Sequence, residues 1–188
     1  SPFKSTVSST GVSCPVVVNE VYYDHPGRDD GWEYVELFNA VTDSVDLAGW
    51  RVELLDGASG APSCLWTGRA GSRIRPGETF CIAGRARDPS PDRLLEGSLE
   101  NGPDAVRLVT PDGTADVVGY GPVALEGLFE GSPAVAVAAG ASLARRPDGM
   151  DSGRNADDFV EARPTPGRRN FFDRDIEVSL APVVEPPC

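Results

Sequence analysis

The sequence is poor in the residues from which most active and nucleic-acid-binding sites are built. Its 188 residues include one histidine, His25, and one lysine, Lys4. A single His argues against a Cys/His zinc centre. It also leaves a nucleophile-base-acid triad with only one base to draw on, and no G-x-S-x-G motif accompanies it. The Gly-Ser pairs at 71–72, 97–98 and 131–132 all stand in turn-like contexts. Positive charge is scarce as well: 17 basic residues face 29 acidic ones, for a net charge of -12. Affinity for nucleic acid depends largely on Lys and Arg displacing counterions, so no nucleic-acid partner is expected. No apolar run approaches the roughly 20 residues needed to span a bilayer, and the opening SPFKSTVSST lacks a signal-peptide core. Long helical periodicity is missing too. Only Ala134 to Leu143 is breaker-poor enough to suggest a helix, and its composition fits an extended loop.

What the chain has is turns. Gly 21 and Pro 17 are spread between short apolar runs, the pattern of many strands joined by many turns, which predicts an all-β class. The stretch GWEYVELFNAVTDSVDLAGWRVELL, residues 31–55, organises the rest. Tyr34, Glu36 and Phe38 alternate with Val35, Leu37 and Asn39, and further on Trp50, Val52 and Leu54 share one phase. With the polar link at 39–44 between them, these runs predict a β-hairpin. Val35, Leu37, Leu47 and Trp50 are its expected core residues. Further strands are expected at 15–23, 63–67, 79–83 and 141–145, and a hairpin at 105–120 around Pro111-Asp112-Gly113. Residues 85–102 form a long excursion that either caps the fold or carries recognition.

The length suits one domain with tails. We expect a flexible lead at 1–14, a sandwich domain at 15–170 and an extension at 171–188 in which 176–180 alternate as an edge strand. Four cysteines, none in a C-x-x-C pair, suit two disulfides and an oxidising compartment. Cys64 and Cys81, in strands read as neighbours across the 75–78 turn, are expected to pair, and Cys14 with Cys188. Asp148, Asp151, Asn155, Asp157 and Asp158 are the densest oxygen-ligand cluster. Their spacing does not fit an EF-hand, so turn capping is preferred over Ca²⁺ ligation by Asp148, Asp151, Asn155 and Asp158. No cofactor is expected, Ca²⁺ being the one candidate. Asp24, Asp29, Asp30 and Glu33 are read with His25 as a solvated loop, and Trp32 as the freest of the three tryptophans.

VVVNEVYYD, WEYVELFNAVTDSVDLAGWRVE, RPGETFCIA, NGPDAVRLVTPDGTADVVGY, FEGSPA, SLARRPDGMDSGRNADDF and PTPGRRN resemble, in that order, the bacterial branch of the lamin tail domain family over about residues 15–170. The resemblance implies an immunoglobulin-like β-sandwich of two packed antiparallel sheets, here with long loops and short terminal tails. It implies no catalytic residues. Such domains serve as accessory modules of exported or surface proteins, sometimes attached to hydrolases or nucleases. The chain has no heptad-repeat rod, so a filament role is not expected.

The expected function is therefore a non-catalytic structural or protein-interaction module, not an enzyme, on a secreted, periplasmic or cell-surface protein. Its partners would be other proteins or cell-surface components. A calcium-dependent or carbohydrate-binding adhesion module is the alternative, and an accessory domain of a secreted hydrolase or nuclease a third reading. The oligomeric state is open.

Overall fold

The computed structural model describes residues 14–87 and 93–172. Among these residues eleven strands and one short helix follow in order. They are β1 (Val16–Tyr22), β2 (Tyr34–Asn39), β3 (Val45–Asp46), β4 (Arg51–Asp56), β5 (Pro62–Thr67), β6 (Arg73–Ile74), β7 (Thr79–Ala83), β8 (Asp104–Thr110), β9 (Gly113–Tyr120), β10 (Ser142–Arg145), α1 (Asn155–Asp158) and β11 (Phe159–Ala162). A five-stranded sheet in the order β11-β10-β1-β2-β7 packs on a four-stranded sheet, β5-β4-β8-β9. The pairings within both sheets are antiparallel. The fold is an immunoglobulin-like β-sandwich.

Side-chain alternation explains the core. Val35 and Leu37 of β2, Val52 and Leu54 of β4, Val106 and Leu108 of β8 and Val118 of β9 all face the space between the sheets. Leu47 and Trp50, the latter 8% exposed, join them. In β1 the phase changes midway: Val16 and Val18 point inward, and then Val21 and Tyr23 do. The register slips between Val18 and Glu20, so Asn19 is the extra residue of a β-bulge that carries the inward phase from even to odd positions. All seven residues of β1 are buried because loops cover its outer face as well.

The predicted central hairpin is not one. β2 belongs to the five-stranded sheet and β4 to the other, and the chain between them crosses one end of the sandwich. On the way β3 pairs with β6 as a small two-stranded cap. Asn39 holds the start of this crossing, its Nδ2 donating to the carbonyls of Asp43 and Ile74. Periodicity identifies a strand but not its neighbour, and a polar link of this length serves a sheet-to-sheet crossing as well as a turn. The hairpin at 105–120 does form, as β8 and β9.

The expected Cys64–Cys81 disulfide is absent, since β5 and β7 lie in different sheets. Cys64 is opposite Glu53 on the outer face of one sheet, and Cys81 is opposite Glu36 on the outer face of the other. The two thiols point away from each other across the whole sandwich. Cys188 and residues 176–180 lie outside the described residues, as do residues 1–13.

Segments read as loops do structural work. Leu95 and Leu99 of the long excursion close an end of the core, with Leu95 N–H donating to Ala83 O and Glu96 N–H to Leu65 O. Residues 148–170, for which no strand or helix is expected from the sequence, contain α1 and the edge strand β11. Beyond them 164–170 lies over the outer face of the five-stranded sheet as a strap. Thr165 N–H donates to Glu20, and Gly167 N–H to Glu36, its cross-strand partner. Gly149 approaches the same face at φ 71°, and a Cβ there would stand 2.5 Å from the Phe38 ring.

Candidate functional site

Two places in the sandwich gather chemistry. The first is an aromatic and cationic patch on the outer face of the five-stranded sheet. Tyr22 and Tyr34, directly opposite on β1 and β2, stack with ring centroids 5.4 Å apart. His25 meets the edge of Tyr22 at 6.1 Å and stacks on Trp32 at 4.9 Å. The Arg87 guanidinium lies over all three larger rings, 4.9 Å from Tyr34, 5.1 Å from Tyr22 and 5.9 Å from Trp32, and its Nε donates to Trp32 O. Trp32 is 40% exposed, so the stack opens to solvent at its outer end. His25 is thus half-buried and stacked rather than solvated. Its Nδ1 is buried without a hydrogen-bond partner, so no carboxylate fixes its tautomer as in a triad.

The neighbouring acids divide. Asp30 is exposed and paired with Arg28, and Asp29 caps the turn by accepting from His25 N–H. Glu33 does not stay in the solvated loop: it is buried and accepts from Ser98 Oγ at 2.8 Å. Burial lifts its carboxyl to about 7, the Ser98 hydroxyl acting in the opposite direction.

The second place lies between the sheets, where β10 faces β9. Arg145 follows the inward phase of Leu143, and Asp116 that of Val118. The Arg145 side chain is 0% exposed. Its Nε donates to Val18 O at 2.9 Å, one terminal nitrogen to Asp116 Oδ2 at 2.9 Å, and the other to Met150 O at 2.7 Å and Asp158 Oδ2 at 3.0 Å. The Arg145 Cζ stands over the Phe159 ring, 4.5 Å from its centroid. Asp116 Oδ2 also accepts from Val18 N–H at 2.8 Å. Asp116 is thereby tied to the backbone of β1 in the opposite sheet, and Arg145 to the backbone of β1 and of the loop at Met150.

The sequence-predicted Ca²⁺ candidates are mostly committed to such work. Asn155 faces the free edge of β9 like a strand residue. Its Nδ2 donates to Val117 O, and its Oδ1 accepts from Gly119 and Glu130 N–H, which uses both lone pairs. Asp158 holds Arg145 and Ser152 N–H. Asp148 Oδ1 accepts from Asn19 Nδ2 and Asn170 N–H, some distance along the chain. These four residues do not converge on one point. Asp157 pairs with Arg154 on the surface. The sequence reading missed Arg145 and Asp116, although the period-two phase of their strands places two opposite charges on inward faces.

The model of the lamin tail domain matches residues 9–122, more than half the chain. The chain belongs to the lamin tail domain family. No curated protein matches it. Lamin tail domains are immunoglobulin-like structural domains that mediate interactions and are not a family of enzymes. The β10–α1–β11 region, with Arg145, lies beyond the matched residues yet completes the sheet that β1 begins. No helix among the described residues is long and apolar enough to cross a membrane.

Proposed function

We propose that this lamin tail domain is a non-catalytic module that docks another protein through the patch of Trp32, His25 and Arg87, on a protein placed outside the cytoplasm. The observation that carries the docking reading is the open end of the stack, where an exposed Trp is held flat against His25 beside a guanidinium. Trp and Arg dominate the energetics of protein interfaces, and a pre-stacked ring loses little conformational freedom on binding. Asp24, Asp29 and Asp30 border the patch and favour a partner with basic groups at its rim. The extracellular placement rests on the family resemblance and the cysteine count, without the Cys64–Cys81 bridge.

A photo-crosslinker at position 32 of the full-length protein in its own cells tests this. The expected result is a defined adduct, absent with the crosslinker at position 114 on the other sheet, and outcompeted by added wild-type domain but not by its Trp32→Ala variant. Equal labelling from both positions would sink the reading. A second reading, carbohydrate binding, is favoured by the same exposed ring, because sugar rings stack on open aromatic faces. Glycan-array binding that disappears in Trp32→Ala, with no protein adduct, would put it first.

A further inference from the structure

Carboxylate oxygens of Asp116, Glu130 and Asp151 lie within 4.8 Å of one another beside the buried guanidinium of Arg145. Three atoms no farther apart than that lie within about 2.8 Å of a common point, near the roughly 2.3–2.6 Å of a Ca²⁺–oxygen bond, so small side-chain adjustments would let one ion reach all three. Two of these residues carry an oxygen with no hydrogen-bond partner. Asp116 is 1% exposed and spends Oδ2 on Arg145 and Val18 N–H, leaving Oδ1 buried without a partner. Glu130 Oε2 is likewise buried without a donor. A buried acceptor with no hydrogen bond costs free energy, more for a charged group than for a neutral one. Arg145 does not relieve it, because four of its five N–H donors go to Val18 O, Asp116 Oδ2, Met150 O and Asp158 Oδ2 and none is directed at these two oxygens.

From this geometry we infer a divalent-cation site, of Ca²⁺ type, formed by Asp116 Oδ1, Glu130 Oε2 and the Asp151 carboxylate, with Asp116 bridging the ion and Arg145. Charge supports it. Asp116, Glu130, Asp151 and Asp158 surround one guanidinium, and a divalent ion would offset most of the remaining negative charge. The frame is rigid where the site needs it. Glu130 is fixed by its backbone, its N–H donating to Asn155 Oδ1 and its carbonyl accepting from Asn155 N–H. Asp151 is held by Gly153 N–H and stands 3.6 Å from Arg145. Asp116 is wholly enclosed, but Glu130 and Asp151 are only half-buried, which provides an entry path and positions for water ligands. The other carboxylate trio, Asp56, Glu100 and Asp104, has no orphaned oxygen and serves as the control.

The test uses the full chain stripped with EDTA, with Ca²⁺ and Mg²⁺ titrated separately and read by thermal unfolding and calorimetry. Ca²⁺ is expected to raise Tm saturably with a Kd in the roughly 0.1–1 mM range of extracellular modules, and more than equal Mg²⁺. Glu130→Gln should fold, keep its Tm without Ca²⁺, and weaken Ca²⁺ binding about tenfold or more. Asp151→Asn should do the same, and Glu100→Gln should leave binding unchanged. No Ca²⁺-dependent rise in the wild type would overturn the site, as would a rise retained in both Glu130→Gln and Asp151→Asn, or a larger response to Mg²⁺.

Discussion

Arg145 on β10 and Asp116 on β9 meet at 2.9 Å across the space between the two sheets, with both side chains withdrawn from water. The pair therefore joins the sheets by charge beside the apolar cluster that fills most of the space between them. A buried ion pair need not add net stability, but removing one partner leaves the other charged and desolvated.

Arg145→Met should accordingly lower unfolding free energy by about 3–5 kcal/mol, since it strands Asp116 and Asp158 together. Asp116→Asn should cost less, and the double variant less than the sum of the two. Urea midpoints for the four proteins of this cycle measure the coupling. Strict additivity would mean that the pair is energetically idle.

Truncating Trp50 tests the register of the crossing. Trp50 sits at 8% exposure among Leu47, Val52 and Ile74, so Trp50→Ala should cost roughly 3–5 kcal/mol, whereas Trp32→Ala, on the surface, should cost far less. Denaturant unfolding of both variants decides it, and similar midpoints would show the inward phase to be misplaced.

Stability should fall as pH rises from about 5 to about 8.5. Burial pushes the Glu36 carboxyl from the ordinary 4.5 up to about 8, Gly167 N–H acting the other way, while Glu33 rises to about 7. Between the unfolded and folded values the native state holds more protons than the unfolded chain, so unfolding free energy declines with pH throughout that window and levels off on either side. Tm measured across the range should drop toward alkaline pH, and Glu36→Gln should flatten the drop. A Tm rising with pH, or a slope unchanged in Glu36→Gln, would contradict the assignment.

Strand positions were legible because polarity alternates at period two, as in Val35-Glu36-Leu37 and Val52-Glu53-Leu54, the apolar phase facing the space between the sheets. Sheet membership was not. Residues 39–44 carry the same polar chemistry whether the chain reverses or crosses over, and Cys64 and Cys81 looked adjacent only on the assumption of a reversal. β11 escaped because Phe159–Ala162 is short and follows the helical turn NADD. Of the candidate site, the acids at 148–158 were visible as a cluster along the sequence. Their division into strut and ligand depends on Asp116 and Glu130, which lie well before them in the chain. Trp32 was recognisable as a free aromatic, while its stacking on His25 depends on how the 24–31 turn folds back.

β1 lies in the middle of its sheet with β2 on one side and β10 on the other, a partner more than a hundred residues away. A chain ended at Pro122, where the family match stops, would leave β1 with a bare edge of unpaired amides and carbonyls and Asp116 facing it without a cation. Such an edge recruits strands from other molecules. The shortest soluble piece of this protein should therefore run through the strap at 164–170, and a library of C-terminal truncations should switch from aggregate to monomer only after β10 and β11 are included.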